Sequence, residues 1–175
     1  ALSQAHFECG LISAEELAGI KNLEALDLPD MAELRIGIRN VGYPIIELLN
    51  YLNRQLPETL RGVLHLGATT QDIMDSALSI QVSRVGKLLL SHIENLGDAF
   101  AVLVNAHSAT LMAGRTHAQQ AVPTTFGLKC AVYLSEVTRH RERLQRAVDE
   151  ASCISLYGAA GTSAAMGEKE SEVRA

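Results

Sequence analysis

From residue 71 to about residue 107 the chain runs without a proline, and its apolar side chains return every three or four positions. Ile73, Ala77, Ile80, Val85, Leu88, Leu89, Ile93, Leu96, Phe100 and Leu103 mark the stripe, which is the spacing of one helix face. At about 1.5 Å per residue such a helix is roughly 54 Å long; helices in globular domains average about 11–12 residues. Only Gly86 and Gly97 weaken it. A second long pattern covers about 124–155, through Phe126, Cys130, Leu134, Val137, Leu144, Val148 and Ala151. Two rods this long and this apolar cannot bury their faces on each other alone. The sequence therefore predicts an all-α fold: an N-terminal helical domain (residues 1–66), then long helices of a central bundle (67–175) completed by other subunits.

The N-terminal part reads as shorter helices. Residues 3–8 end one at Cys9-Gly10, and Ser13 with Glu16 three positions later forms a capping box for a helix through about Leu26. Met31 to Val41 forms another, broken at Gly42-Tyr43-Pro44, and Pro44 suits the first turn of a fourth that reaches Arg54. The chain starts inside a helical pattern and ends in a charged run, 167–175, which predicts a piece of a longer protein.

Two polar stretches border the long helices. The first, His65-Leu66-Gly67-Ala68-Thr69-Thr70-Gln71-Asp72, opens the longer one. Thr69 or Thr70 suits its N-cap, and the unpaired amides and partial positive charge of a helix start suit a carboxylate or phosphate. Gln71 adds a neutral donor. The second, Gly114 to Gly127, reads as a polar loop between the two rods, with Arg115, Thr116, His117, Gln119 and Gln120 inside six residues. His117 is the candidate proton carrier, since histidine titrates near neutral pH. His6, His92, His107 and His140 read as surface residues. The segment 158–167, rich in Gly, Ala and Ser, is too poor in large side chains for a core, and reads equally as a linker or as a loop whose amides approach a ligand. Together these groups suit proton removal alpha to a carboxylate, which concentrates negative charge that preorganised donors must hold.

At these residues a resemblance becomes specific. His65-Leu-Gly-Ala-Thr-Thr-Gln-Asp-Ile-Met-Asp-Ser-Ala77 resembles the first shared region of the fumarase/aspartase superfamily, and Gly114-Arg-Thr-His-Ala-Gln-Gln-Ala-Val-Pro-Thr-Thr-Phe-Gly-Leu-Lys129 resembles the second. The 52 positions from His65 to His117 match the register of the corresponding histidines in adenylosuccinate lyases. The resemblance implies an all-α homotetramer whose active sites form at subunit junctions, each from three subunits. It implies that His117 is the general acid with His65 close by, and that Thr69, Thr70, Gln71, Arg115, Thr116 and Gln120 hold a di- or tricarboxylate substrate. No cofactor or metal is implied. The family's third region, a mobile loop with the catalytic Ser base, is absent from these residues.

Within the family, the 42–46 turn, Gly-Ala-Thr-Thr-Gln-Asp and Gly158-Ala159-Ala160-Gly161-Thr162 resemble 3-carboxy-cis,cis-muconate cycloisomerases. Bacterial members of that group commonly place Trp at the position of His117. His117 with Pro123-Thr124-Thr125-Phe126-Gly127-Leu128-Lys129 resembles adenylosuccinate lyase, whose further site histidine would align near Pro44. The main reading is the cycloisomerase-like branch, performing acid–base elimination, addition or lactonisation beside a carboxylate. The alternative is adenylosuccinate lyase or another C–N lyase acting on aminocarboxylates, and a remoter one is a non-catalytic helical scaffold.

Composition excludes other classes. The net charge of −5 lacks the basic stripe of a nucleic-acid module, and no apolar run approaches the ~18 residues of a membrane span. Cys9, Cys130 and Cys153 are scattered through apolar patterns, without metal-ligand spacing, and read as buried thiols of a cytoplasmic protein.

Overall fold

The computed structural model describes residues 1–27 and 29–175. Its elements, in order, are α1 (Leu2–Glu8), α2 (Ala14–Asn22), α3 (Met31–Val41), α4 (Pro44–Gln55), α5 (Thr70–Ala106), β1 (Leu111–Thr116), β2 (Gln119–Thr125), α6 (Phe126–Ala151) and α7 (Glu170–Arg174), with short 3-10 turns at Leu23–Ala25, Glu58–Leu60 and Ala164–Lys169. Among the described residues the fold is helical apart from one small two-stranded sheet. Contacts divide it into two units: Ala1–Ser76 with Ile154–Ala175, and Ala77–Cys153. The helix α5 begins in the first and continues into the second.

In the first unit the local signals act as expected. The Ser13 hydroxyl accepts from Glu16 N at 3.2 Å while the Glu16 carboxylate accepts from Ser13 N at 2.6 Å, which closes the capping box. Asp30 caps α3 through Ala32 N, and Gly42, at φ +83°, ends it by donating to the Ile38 carbonyl. Pro44 then starts α4 at its first turn. Ile12, Leu17, Ile45, Leu56, Leu60, Met166 and Val173 form the core. Two expectations fail here, and the tail adds a further element. His6 is buried, and burial lowers its pKa because the interior disfavours the imidazolium. Segment 158–167 does reach the core, through Met166, which fills the space where a Cβ on Gly67 would stand. The charged tail forms α7, which packs on α1 and buries Val173.

In the second unit α5 and α6 run antiparallel. Gly86 meets Val148, Glu94 pairs with Arg141 at 2.7 Å, a Cβ on Gly97 would lie within 4 Å of Val137 and Leu134, and Phe100 stacks on Tyr133 with ring centroids 5.7 Å apart. The two glycines that weaken α5 on propensity are thus points where α6 approaches; a side chain at 86 would occupy the volume of Val148. The pair leaves much apolar surface open. Leu78, Val85, Leu88, Val102, Leu128 and Val132 are each more than half exposed, far from the ordinary fate of such side chains in a helix interior.

The polar loop is a β-hairpin, a correction to the sequence reading. Thr116 pairs with Gln119, leaving His117 and Ala118 as a two-residue turn, and the ladder bulges near Gly114. Neither the composition of the strands nor the turn announced it: His-Ala is not a pair that prefers positive φ, and Pro123 lies within β2. α6 starts at Phe126, two residues later than the pattern suggested, with Thr125 as its cap through Leu128 N, and it ends at Ala151. His107 is half-buried rather than on the surface. Its ring meets Phe126 edge-on at 5.1 Å and its Nδ1 lies 3.2 Å from the Thr110 hydroxyl. Cys130 is buried, but Cys153 is exposed. Among the described residues no helix is long and apolar enough to cross a membrane.

Candidate active site

The first polar stretch lies in the first unit, at the start of α5. Its entry is a tight turn with His65 at φ +66° and Gly67 at φ +69°, closed by Ala68 N donating to the His65 carbonyl at 3.2 Å. A left-handed backbone at a histidine costs about 1–3 kcal/mol. The Nε2 atom of His65 is buried and has no hydrogen-bond partner among the described residues. Thr69 and Thr70 are half-buried and Gln71 is exposed, its amide donating to Asp75 at 2.5 Å. That bond uses one of the two amide hydrogens of the donor expected to face an anion and leaves the other.

The residue that organises this end is Asp72, to which the sequence reading gave no role beyond closing the first polar stretch. It is 3% exposed. Its Oδ2 accepts from Thr69 N and from Gly158 N, both at 2.9 Å, and its Oδ1 accepts from Tyr157 N at 3.0 Å. The glycine-rich segment is therefore a tethered turn. Ser163, at φ +50°, donates its amide to the Tyr157 carbonyl at 2.7 Å, and its buried hydroxyl is unpartnered among the described residues. One turn along α5, Ser76 ties the same segment by bonding the Ser155 carbonyl and amide.

Burial by itself pushes the Asp72 carboxyl up. The amides of Thr69, Tyr157 and Gly158, with the Ser155 side chain, outweigh it and hold the group below the ordinary carboxylate value. A carboxyl depressed in the folded state adds stability that is present above its unfolded value near ~3.9 and is lost as pH falls through the folded value. Melting curves of the full-length protein and of Asp72→Asn, taken from pH 7 downward, should thus show a gap that narrows toward the acid end. A gap that stays constant would contradict this account.

The second stretch lies in the second unit, on the hairpin. His117 and Ala118, at φ +48° and +60°, have the sign pattern of a type I′ turn, whose twist suits a two-residue hairpin. The turn places His117 at the tip. Arg115, Thr116, Gln119 and Gln120 flank it, and all are exposed in the single chain. Below them, Gly127 seats the start of α6 on the end of α5: its amide donates to the His107 carbonyl at 2.9 Å, and Phe126 N donates to the Thr110 carbonyl at 2.9 Å. The hairpin is thereby pinned at its base by backbone bonds, with its polar tip free. Among the described residues no three His, Cys, Asp or Glu gather in a metal-binding group.

A family model described as Lyase matches residues 37–174. The chain belongs to the lyase family, within the fumarase/aspartase superfamily. It is similar to the 3-carboxy-cis,cis-muconate cycloisomerase of Pseudomonas aeruginosa, 37% identical over 179 residues that cover 100% of this chain and 39% of the relative. It is also similar to the adenylosuccinate lyase of Methanocaldococcus jannaschii, 32% identical over 176 residues, 99% of this chain and 37% of that one. Among solved structures, a fumarate lyase from Mesorhizobium sp. BNC1 matches with a TM-score of 0.92 at 40% identity, covering 98% of this chain and 40% of that chain. The chain thus spans about two-fifths of the length of the curated relatives it matches. Asp72 and Ser163 are the residues that sequence reasoning missed; Asp72 matters through amides 85 and 86 positions away, and Ser163 through a burial that its glycine- and alanine-rich surroundings in sequence do not announce.

Proposed function

We propose that this chain is part of a lyase-family enzyme of the cycloisomerase-like branch, which performs acid–base elimination, addition or lactonisation alpha/beta to a carboxylate of a small di- or tricarboxylate. The observation that carries the reading is the hairpin tip, where strained backbone holds an accessible imidazole among Arg115, Thr116 and Gln120. His117 donates a proton to the departing or closing group. His65, with its unpartnered Nε2, is the second catalytic histidine, and Thr69, Thr70, Gln71, Arg115, Thr116 and Gln120, with the first-turn amides of α5, hold the substrate's carboxylates. The base belongs to the family's third region, which these residues do not include. Neither a cofactor nor a metal enters the scheme. Likeness to a cycloisomerase across the whole chain supports this branch. The retained His117 and the similarity to an adenylosuccinate lyase support the second reading, a C–N lyase acting on aminocarboxylates.

The test is a panel of carboxymuconate, adenylosuccinate, argininosuccinate and fumarate with amines, followed by ultraviolet absorbance with the full-length protein. Turnover of the carboxymuconate alone is the expected outcome; turnover of an aminocarboxylate alone selects the second reading. A protein that is folded and inert toward all of them supports the scaffold instead.

The exposed leucines and valines of α5 and α6 support assembly as a homotetramer with shared sites, in which those two helices enter the bundle while residues 1–66 belong to the helical N-terminal domain; we take the assembly to be cytoplasmic. Gel filtration with light scattering should give a tetramer, and an active monomer would rule shared sites out.

A further inference from the structure

Asp72 is a charged side chain that the proposed chemistry leaves unused. A carboxylate buried this deeply is costly to keep, and its partners are backbone amides rather than a cation. Two of those amides, Tyr157 and Gly158, lie 85 and 86 positions from Asp72 in sequence while Thr69 is its near neighbour, and a single oxygen, Oδ2, serves both segments. The segments resemble each other. Each carries positive-φ residues, His65 and Gly67 in one and Gly158, Gly161 and Ser163 in the other. Each also holds a buried polar atom without a partner among the described residues, His65 Nε2 and Ser163 Oγ. Ser163 is 2% exposed, and a hydroxyl so placed and left unbonded forfeits its hydration without recompense, a loss that a ligand group would recover.

We propose that Asp72 is a positioning residue that fixes the 157–163 turn against the Thr69–Gln71 turn, so that both turns together hold the substrate carboxylate. This rests on the carboxylate-binding role proposed above for Thr69–Gln71. Asp72 touches no substrate; it sets where the two backbones stand. An asparagine in its place keeps the size but offers one acceptor oxygen and turns an N–H2 toward an amide donor.

The experiment uses the full-length enzyme and whichever compound of the panel the wild type turns over. Asp72→Asn should raise KM about tenfold or more while kcat stays within about threefold, the signature of lost binding common to ground and transition states. Ser76→Ala cuts the neighbouring tie to Ser155 and should leave both constants near wild type. Where Asp72→Asn does not fold, Gly158→Ala takes its place. It puts a Cβ on a residue at φ +72°, 3.4 Å from the Gly67 carbonyl, and should raise KM at least threefold. An unchanged KM in the folded variant overturns the proposal, as does an equal loss in Ser76→Ala. A wild-type enzyme inert toward the whole panel overturns the underlying reading of the site, and this proposal with it; an active wild type with an indifferent Asp72 overturns the clamp alone.

Discussion

Replacing His117 by alanine in the full-length enzyme should lower kcat by about 10²–10⁴-fold, the range for loss of a positioned general acid, with the melting temperature close to that of the wild type. The imidazole is exposed at the hairpin tip, so its removal leaves no cavity. The backbone at 117 already has φ +48°, a strain alanine shares with histidine, so the turn keeps its geometry. Activity and structure therefore separate at this position. Circular dichroism melts beside steady-state kinetics on the same preparation provide the check, and an alanine variant with wild-type turnover would remove His117 from the mechanism.

The largest expected loss of stability is at Gly127. A Cβ there would stand 2.7 Å from the His107 carbonyl oxygen, 2.8 Å from its carbon and 2.8 Å from the Ser108 Cα. All three are backbone atoms, so no side chain can swing aside. Overpacking of this kind costs about 1–3 kcal/mol and at times more; here the upper end applies, because relief requires moving the end of α5 or the start of α6. Gly127→Ala should lower the thermal midpoint by several degrees and depress activity through the hairpin that this junction supports. A variant melting within one degree of the wild type would show that the junction is looser than the distances imply.

The helices were legible because their signals are local. Ser13 with Glu16, Pro44 and the unbroken stripe of α5 each act within a few residues, and each element formed where its pattern stood. The hairpin was not legible. Its strands are short, its turn lacks the Asn-Gly or Asp-Gly pair that favours positive φ, and its pairing is secured by a backbone contact between Gly127 and His107 that no periodicity encodes. The candidate site divides in the same way. His65, Thr69, Thr70 and His117 stood out as polar groups at element boundaries. Asp72 was hidden because its role depends on Tyr157 and Gly158, whose approach is a tertiary fact. His6 misled for a related reason: its neighbours in sequence are mixed, and only the folded chain buries it.

The first unit is discontinuous, and that has a consequence for how the chain is made. Its core needs Met166 and Val173, and Asp72 meets Gly158 86 positions later. Ribosomes add about 5–20 residues per second, so the 118 positions from Gln55 to Val173 keep α1 to α4 waiting roughly 6–24 s before the segment that completes them is made. During that interval Ile12, Leu17, Ile45 and Leu60 lack their last cover. Nascent chains arrested near residue 150 should accordingly bind hydrophobic-surface chaperones more strongly than chains released at full length.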